Sequence, residues 1–203
     1  NLWQIISGDY DTPKPTESME PVVFKSQVVN RDVTYSQYIG ESYILNSLYA
    51  TLQGNDQLIG AGILFEPNAF LPGVKDYSPY ISQISKKDMT VSNFQYDDIC
   101  NEDYYAKVKE TKEKYITDLY VEEEDGVTHS EITFSNPIIL DGEFKGTIIT
   151  DVDASVIDSI QKVDDSFPSM FTNVLDSHGV IHSENPDYDG KLLKDILPEK
   201  ALS

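Results

Sequence analysis

From Tyr115 to Val152 the chain reads in period two, and this stretch limits the possible fold more than any other. Tyr115–Glu122, Val127–Leu140 and Glu143–Val152 have the alternation of half-buried strands. Glu124-Asp125-Gly126 and Asp141-Gly142 interrupt them at hairpin spacing, and Asp-Gly is the stronger turn signal because a two-residue hairpin needs left-handed backbone. Three consecutive antiparallel strands are therefore predicted. Such a sheet has to bury a face, so the flanking segments must supply its cover.

They do so in both directions. Helical spacing from about Tyr35 puts Tyr43, Ile44, Leu48, Tyr49 and Leu52 on one stripe, ended by Gly54. Leu58–Phe65 is apolar throughout and reads as a buried strand, with Gly60 and Gly62 leaving room for a close neighbour. Tyr80–Ser85 and Met89–Phe94 make a hairpin across Lys86-Lys87-Asp88. Asn101 suits a helix N-cap, Glu102 and Asp103 the positive end, and the helix is predicted to run to about Lys114. A short helix is expected over Ala154–Val163. Phe167-Pro168 marks a boundary, followed by a hairpin in FTNVLDSHGVIHS that turns at Asp176–Gly179 and a short helix at LLKDIL. The expected organisation is an N-terminal segment over residues 1–34, a main lobe over 35–163 and the start of a second lobe over 164–203. One antiparallel sheet flanked by helices places the chain in the α+β class.

Composition removes several functions. The chain carries 35 acidic against 15 basic residues, a net charge of -20, so phosphate backbones are repelled and nucleic acid is not expected as a partner. No apolar run approaches the roughly 18–20 residues of a bilayer span. Any membrane anchor of the parent protein would lie outside these residues. With one cysteine, Cys100, there is no internal disulfide and no paired-cysteine metal or redox motif.

Nothing in the chain calls for catalysis. There is no nucleophile elbow, phosphate loop or dinucleotide fingerprint. The acidic residues form no EF-hand loop. His178 and His182 straddle a turn instead of sharing a helix face, and without a third ligand zinc is not expected. The chain is read as no enzyme, with neither metal nor cofactor.

The leading helix, GAGILFEPNAF, NEDYYAKVKETKEKYITDLYVEEEDG, the sheet segment SNPIILDGEFKGTIITDVD and the second opening VLDSHGVIHS together resemble the double Cache domains over roughly residues 41–182. These are PAS-like extracytoplasmic sensor regions of bacterial and archaeal chemoreceptors, histidine kinases and cyclic-dinucleotide enzymes. The resemblance implies a long N-terminal helix, a membrane-distal lobe that holds the ligand, and a membrane-proximal lobe, here short. It also implies a site. Tyr104 stands at a Trp position and Tyr105 at the Tyr that follows it. Tyr120 and Glu122 stand at a pair on the next strand, and Asp151 at an acid ending the last strand. Asp97 falls at a leading aromatic position. Glu102 falls where amino-acid binders have an arginine for the ligand carboxylate, and an acid there cannot replace that bidentate grip.

Strand geometry adds that Tyr120 and Glu122 share a face, with Leu119 and Val121 on the other and expected in the core. Thr147, Ile149 and Asp151 likewise share a face. A carboxylate within TIITDV is costly to bury unless paired. The expected function is an extracytoplasmic sensor of a membrane-anchored receptor that binds a small cationic or amine ligand. A ligand-free ectodomain that forms a homodimer or binds a partner is the alternative.

Overall fold

The computed structural model describes residues 23–83, 89–124, 127–154, 173–183 and 187–197. All but the first residue of the expected Ala154–Val163 helix, the Lys86-Lys87-Asp88 turn, residues 125–126 and the Phe167-Pro168 boundary lie outside these. The chain divides into two compact units, Asn1–Ile116 with Thr133–Asp151, and Thr117–Ile132 with Val152–Ser203. This division passes through two long strands.

The first unit opens with a short hairpin of β1 (Phe24–Lys25) and β2 (Asp32–Val33), followed by α1 (Tyr35–Gln53). Thr34 caps α1, its hydroxyl accepting from Gln37 N while the Gln37 side chain accepts from Thr34 N. Gly54 closes the helix in the right-handed region at φ -85°, so its freedom at positive φ is not used. The buried stripe runs through Ser36, Gly40, Ile44, Leu48 and Leu52, one residue every turn, with Glu41 and Leu45 beside it. Tyr43, predicted on this stripe, is 56% exposed because it lies about 100° round the helix from Ile44.

Strand β3 (Leu58–Phe65) pairs antiparallel with β4 (Pro79–Ser82), and β4 with β5 (Thr90–Asn93). Two helices follow, α2 (Tyr96–Ile99) and α3 (Asp103–Thr111), then β6 (Tyr115–Ile116), β7 (Tyr120–Glu124), β8 (Val127–Leu140) and β9 (Glu143–Asp153). The sheet order is β5-β4-β3-β9-β8-β6, with β7 also on β8. The predicted Tyr115–Glu122 strand is thus two strands, and the predicted helix to Lys114 stops at Thr111. Lys112, at φ 57°, takes the left-handed cap conformation that ends it. The hairpin between β8 and β9 turns on Asp141 and Gly142 at φ 51° and 80°, as the Asp-Gly signal requires.

Alternation along β3 and β4 separates two cores. Ala61, Phe65 and Ile81 face α1 and pack with Ile44, Leu48, Leu52, Phe70, Leu71 and Tyr77. Leu64 and Tyr80 face the other way and pack with Ile99, Tyr105 and Ile149. Among the described residues the α1 side carries one buried acid, Glu41, which accepts from Ser26 Oγ (2.5 Å), Gln27 N (2.5 Å) and Tyr77 Oη (2.8 Å). Three donors compensate the cost of burying it.

In the second unit, β7 pairs with the first part of β8, Tyr120 opposite Glu131. Further on, β10 (Val174–Leu175) and β11 (Ile181–His182) form the expected hairpin, followed by α4 (Leu193–Ile196). Asp176 shapes the turn, its Oδ1 accepting from His178 N and Val180 N, with Gly179 at φ 79°.

The tightest backbone approach involves Gly146 on β9, at φ 147°, where a Cβ would stand 2.2 Å from the Leu64 carbonyl oxygen. A methyl there has only backbone to displace. Gly146→Ala is expected to cost about 3 kcal/mol through strain and overpacking, read as a lower urea midpoint with an unchanged slope.

Candidate functional site

Asp151 lies on β9, two strands from β4 in the sheet, and Tyr80 of β4 reaches it. The chain permits this reach through Gly60 and Gly62 on the intervening strand. A Cβ at Gly60 would stand 1.7 Å from the Tyr80 hydroxyl, and one at Gly62 2.9 Å from its ring. With both positions bare, the phenol crosses β3 and donates to Asp151 Oδ2 at 2.7 Å. Thr133 of β8 donates to Oδ1 at 2.6 Å. Phe94 stacks on the Tyr80 ring at 4.9 Å. Asp151 is 3% exposed, so each carboxylate oxygen is held by a hydroxyl in a nearly water-free setting.

Around this acid the buried face is polar. Thr133 and Ser135 alternate on β8, and Thr147 shares the inward side of β9 with Asp151; all are essentially inaccessible. Thr147 donates to the Asn136 carbonyl at 2.9 Å, whereas the buried Ser135 hydroxyl has no hydrogen-bond partner.

A second cluster in the same unit centres on Glu66, at the end of β3. Its Oε1 accepts from Tyr105 Oη at 2.7 Å and Tyr96 Oη at 3.3 Å, and pairs with Lys109 Nζ at 2.7 Å. Tyr105 is fully buried, edge-on to Tyr96 and Phe144. Burial first, then the hydrogen bond to Glu66 and its charge, push the Tyr105 hydroxyl far above the usual tyrosine range. Burial pulls the Lys109 ammonium down, but its bonds to Glu66 and Tyr96 outweigh that and leave it above its ordinary value. Glu66 thus fastens the start of the 66–78 segment to α3.

The residues that the resemblance implied for the site lie in different surroundings. Tyr104 is half-buried and packs with Tyr105 against Leu64, Tyr80, Ile99 and Ile149, the core that also supports the ring above Asp151. Asp97 is on the surface, its side chain 76% exposed and paired with Lys75 at 2.6 Å. Glu102 is exposed at the N-cap of α3 with no side-chain capping bond. In the second unit Tyr120 is half-buried and donates to the buried Glu131, which also meets His129 Nε2 at 3.0 Å. Glu122 is exposed opposite His129 on β8. Val121, expected in the core, is 63% exposed, and Leu119 is half-buried.

Sequence reasoning missed Tyr80, Thr133 and Glu66. The signals were present: glycines at alternate positions of a strand admit a ring from the next one, and Glu131, Thr133 and Ser135 make a polar row at strand period. Neither signal names the residue across the gap, which only the register supplies.

A PAS-like α+β scaffold with a buried polar patch, flanked by a loop fastened to a helix, is the architecture of a sensor domain. The family described as methyl-accepting chemotaxis protein-like, first PDC sensor domain, matches residues 44–159, more than half of the chain, and the chain belongs to that family. It is a sensor domain and not itself a catalyst. Among solved structures it is similar to the extracellular domain assigned to histidine kinase mmHK1S-Z3, with 25% identity and a TM-score of 0.61 over 78% of this chain and 62% of that one. The periplasmic sensory domain of the Campylobacter jejuni chemoreceptor Tlp1 matches with 17% identity and a TM-score of 0.57, over 78% and 61% of the two chains. A structure titled methyl-accepting chemotaxis protein X matches with 20% identity and a TM-score of 0.58, over 73% and 59%. The chain therefore spans about three fifths of each of these structures. No curated protein matches it. No described helix is long and apolar enough to cross a membrane.

The buried phenols predict an alkaline limit to stability. Tyr77, raised by burial and then by the charge and hydrogen bond of Glu41, behaves like Tyr105. Both keep their protons in the folded chain, whereas the unfolded chain releases them near pH 10. Above that pH the native state binds more protons, so stability falls by about 1.4 kcal/mol per pH unit for each group. Urea unfolding at pH 9–11 should show this slope reduced by one such increment in Tyr77→Phe and again in Tyr105→Phe.

Proposed function

We propose that this chain is the ligand-binding part of a transmembrane signalling receptor, exposed outside the cytoplasm, and that Asp151 receives the positive group of a small cationic solute such as an amine. Burial of Asp151 at 3% exposure, against two hydroxyls, carries the reading. A ligand ammonium would add a charge-assisted hydrogen bond, stronger than those of neutral hydroxyls, to an acid that the fold already holds in place. The unpartnered Ser135 hydroxyl and the Tyr80–Phe94 stack favour the same guest, which uses hydroxyl acceptors and aromatic faces. The net charge of -20 enriches cations around the domain.

Within this reading, Tyr104 and Tyr105 support the site through the core beneath Tyr80. Glu102, at the former arginine position, disfavours ligands held by a carboxylate. Ligand draws α3 and the 66–78 segment, joined through Glu66, onto the sheet and biases a two-state signalling element. The β10–β11 hairpin would then open the second lobe of a double Cache arrangement.

A thermal-shift series of amines, amino acids and carboxylates tests the proposal. A matching amine at about 100-fold its dissociation constant should add about 2.7 kcal/mol of stability. Asp151→Asn should abolish that gain while leaving the circular dichroism spectrum unchanged. Stabilisation by carboxylates alone would overturn the cationic assignment.

A further inference from the structure

Within the second unit, three side chains that the sequence scatters over about 60 positions come to one point. Asp118 lies just after β6, and Asp176 and His178 lie in the turn between β10 and β11. One ligand atom from each falls within 4.8 Å of the others. The histidine pair alone gave no reason to expect a metal; Asp118 supplies the missing donor from the far end of the unit.

The way each carboxylate is held distinguishes this group from a chance gathering of surface acids. Asp176 commits Oδ1 to two backbone N–H groups of its own turn, which leaves Oδ2 available. Asp118 commits Oδ1 to the backbone N–H and hydroxyl of Ser177, at 3.3 and 2.7 Å, and turns Oδ2 to His178 Nδ1 at 2.7 Å. Each acid is thus oriented through one oxygen and presents the other, the arrangement that outer hydrogen bonds impose on metal ligands. Two carboxylates this close repel each other unless a cation lies between them. Behind Asp176, His182 Nε2 stands 3.6 Å from Oδ2, shielded from solvent and without a hydrogen-bond partner.

We propose that Asp118, Asp176 and His178 bind a divalent transition-metal ion of the zinc class, with water completing a tetrahedral shell and His182 positioning the Asp176 carboxylate. One imidazole and two carboxylates are a donor set that zinc accepts. Magnesium and calcium ask instead for six or more oxygens, which this turn does not provide. Occupancy would add metal bonds from Asp118, Asp176 and His178 to the link that the Asp118–His178 ion pair and the Asp118–Ser177 hydrogen bonds already make between the segment after β6 and the β10–β11 turn.

Isothermal titration of the 203-residue chain with zinc chloride, and with cobalt chloride monitored for visible absorption, tests the site directly. The expected result is one zinc per chain, a tetrahedral cobalt spectrum, and no comparable binding of calcium or magnesium. Asp118→Asn and His178→Gln should each remove the cobalt spectrum, and His182→Gln should weaken zinc about 10-fold or more. His129→Gln, which alters the one histidine outside the hairpin, should change nothing. The proposal is overturned if zinc does not bind, if calcium binds equally well, or if affinity survives in both folded Asp118→Asn and His178→Gln proteins. The two variants alter different elements, so circular dichroism of each shows whether a loss belongs to the site or to the fold.

Discussion

Tyr80 can meet Asp151 only because the strand between them has no side chains in the way. A sheet ordinarily separates second-neighbour strands by about 10 Å, each intervening residue filling the gap with its own Cβ. Glycine at two alternate positions of β3 opens a channel along one face, and a single phenol occupies it. The acid on β9 is thereby linked to β4, while Thr133 links it to β8. Three strands share one carboxylate. The polar patch is consequently part of the sheet's own construction, and its geometry is as rigid as the strands that carry it.

The opposite face is organised by the same logic. There the α1 stripe covers aliphatic and aromatic residues of β3 and β4, and the one acid included, Glu41, has three donors. Among the described residues, each core thus contains one buried carboxylate with both oxygens hydrogen-bonded. One joins helix to hairpin and loop, and the other joins three strands. Glu66 does comparable service at the edge of the second core, where two phenols and an ammonium converge on it. Four tyrosines that composition alone would assign to packing, Tyr77, Tyr80, Tyr96 and Tyr105, are donors to these acids.

Much of the architecture was legible because it rests on local rules. The period-two run, the Asp-Gly turn and the Asp176–Gly179 hairpin follow from backbone preferences that neighbouring residues express directly. The helix over Tyr35–Gln53 follows from a four-residue spacing, and the misplacement of Tyr43 shows the limit: a stripe inferred from hydrophobicity includes an amphipathic ring that can lie at its margin. Val121 failed for a related reason. Alternation assigns two faces but not which of them is covered, and β7 is short enough for its valine to face solvent. The inward acid at 151 was readable as a cost within an apolar strand. Its partner Tyr80 was not, being 71 residues away, and neither was the meeting of Asp118 with a turn nearly 60 residues further on.

The Glu41 arrangement has a practical corollary for anyone shortening this protein. Its donors arrive from Ser26 and Gln27, upstream of the helix that carries the acid. A version beginning at Tyr35, where the first long helix starts, would retain the fully buried apolar residues of that layer, lose the half-buried Val28, Val29 and Val33, and strand a carboxylate in the interior with only a phenol for company. The functional edge of the fold therefore precedes its first substantial element, and recombinant boundaries chosen by helix limits alone would yield an unstable product.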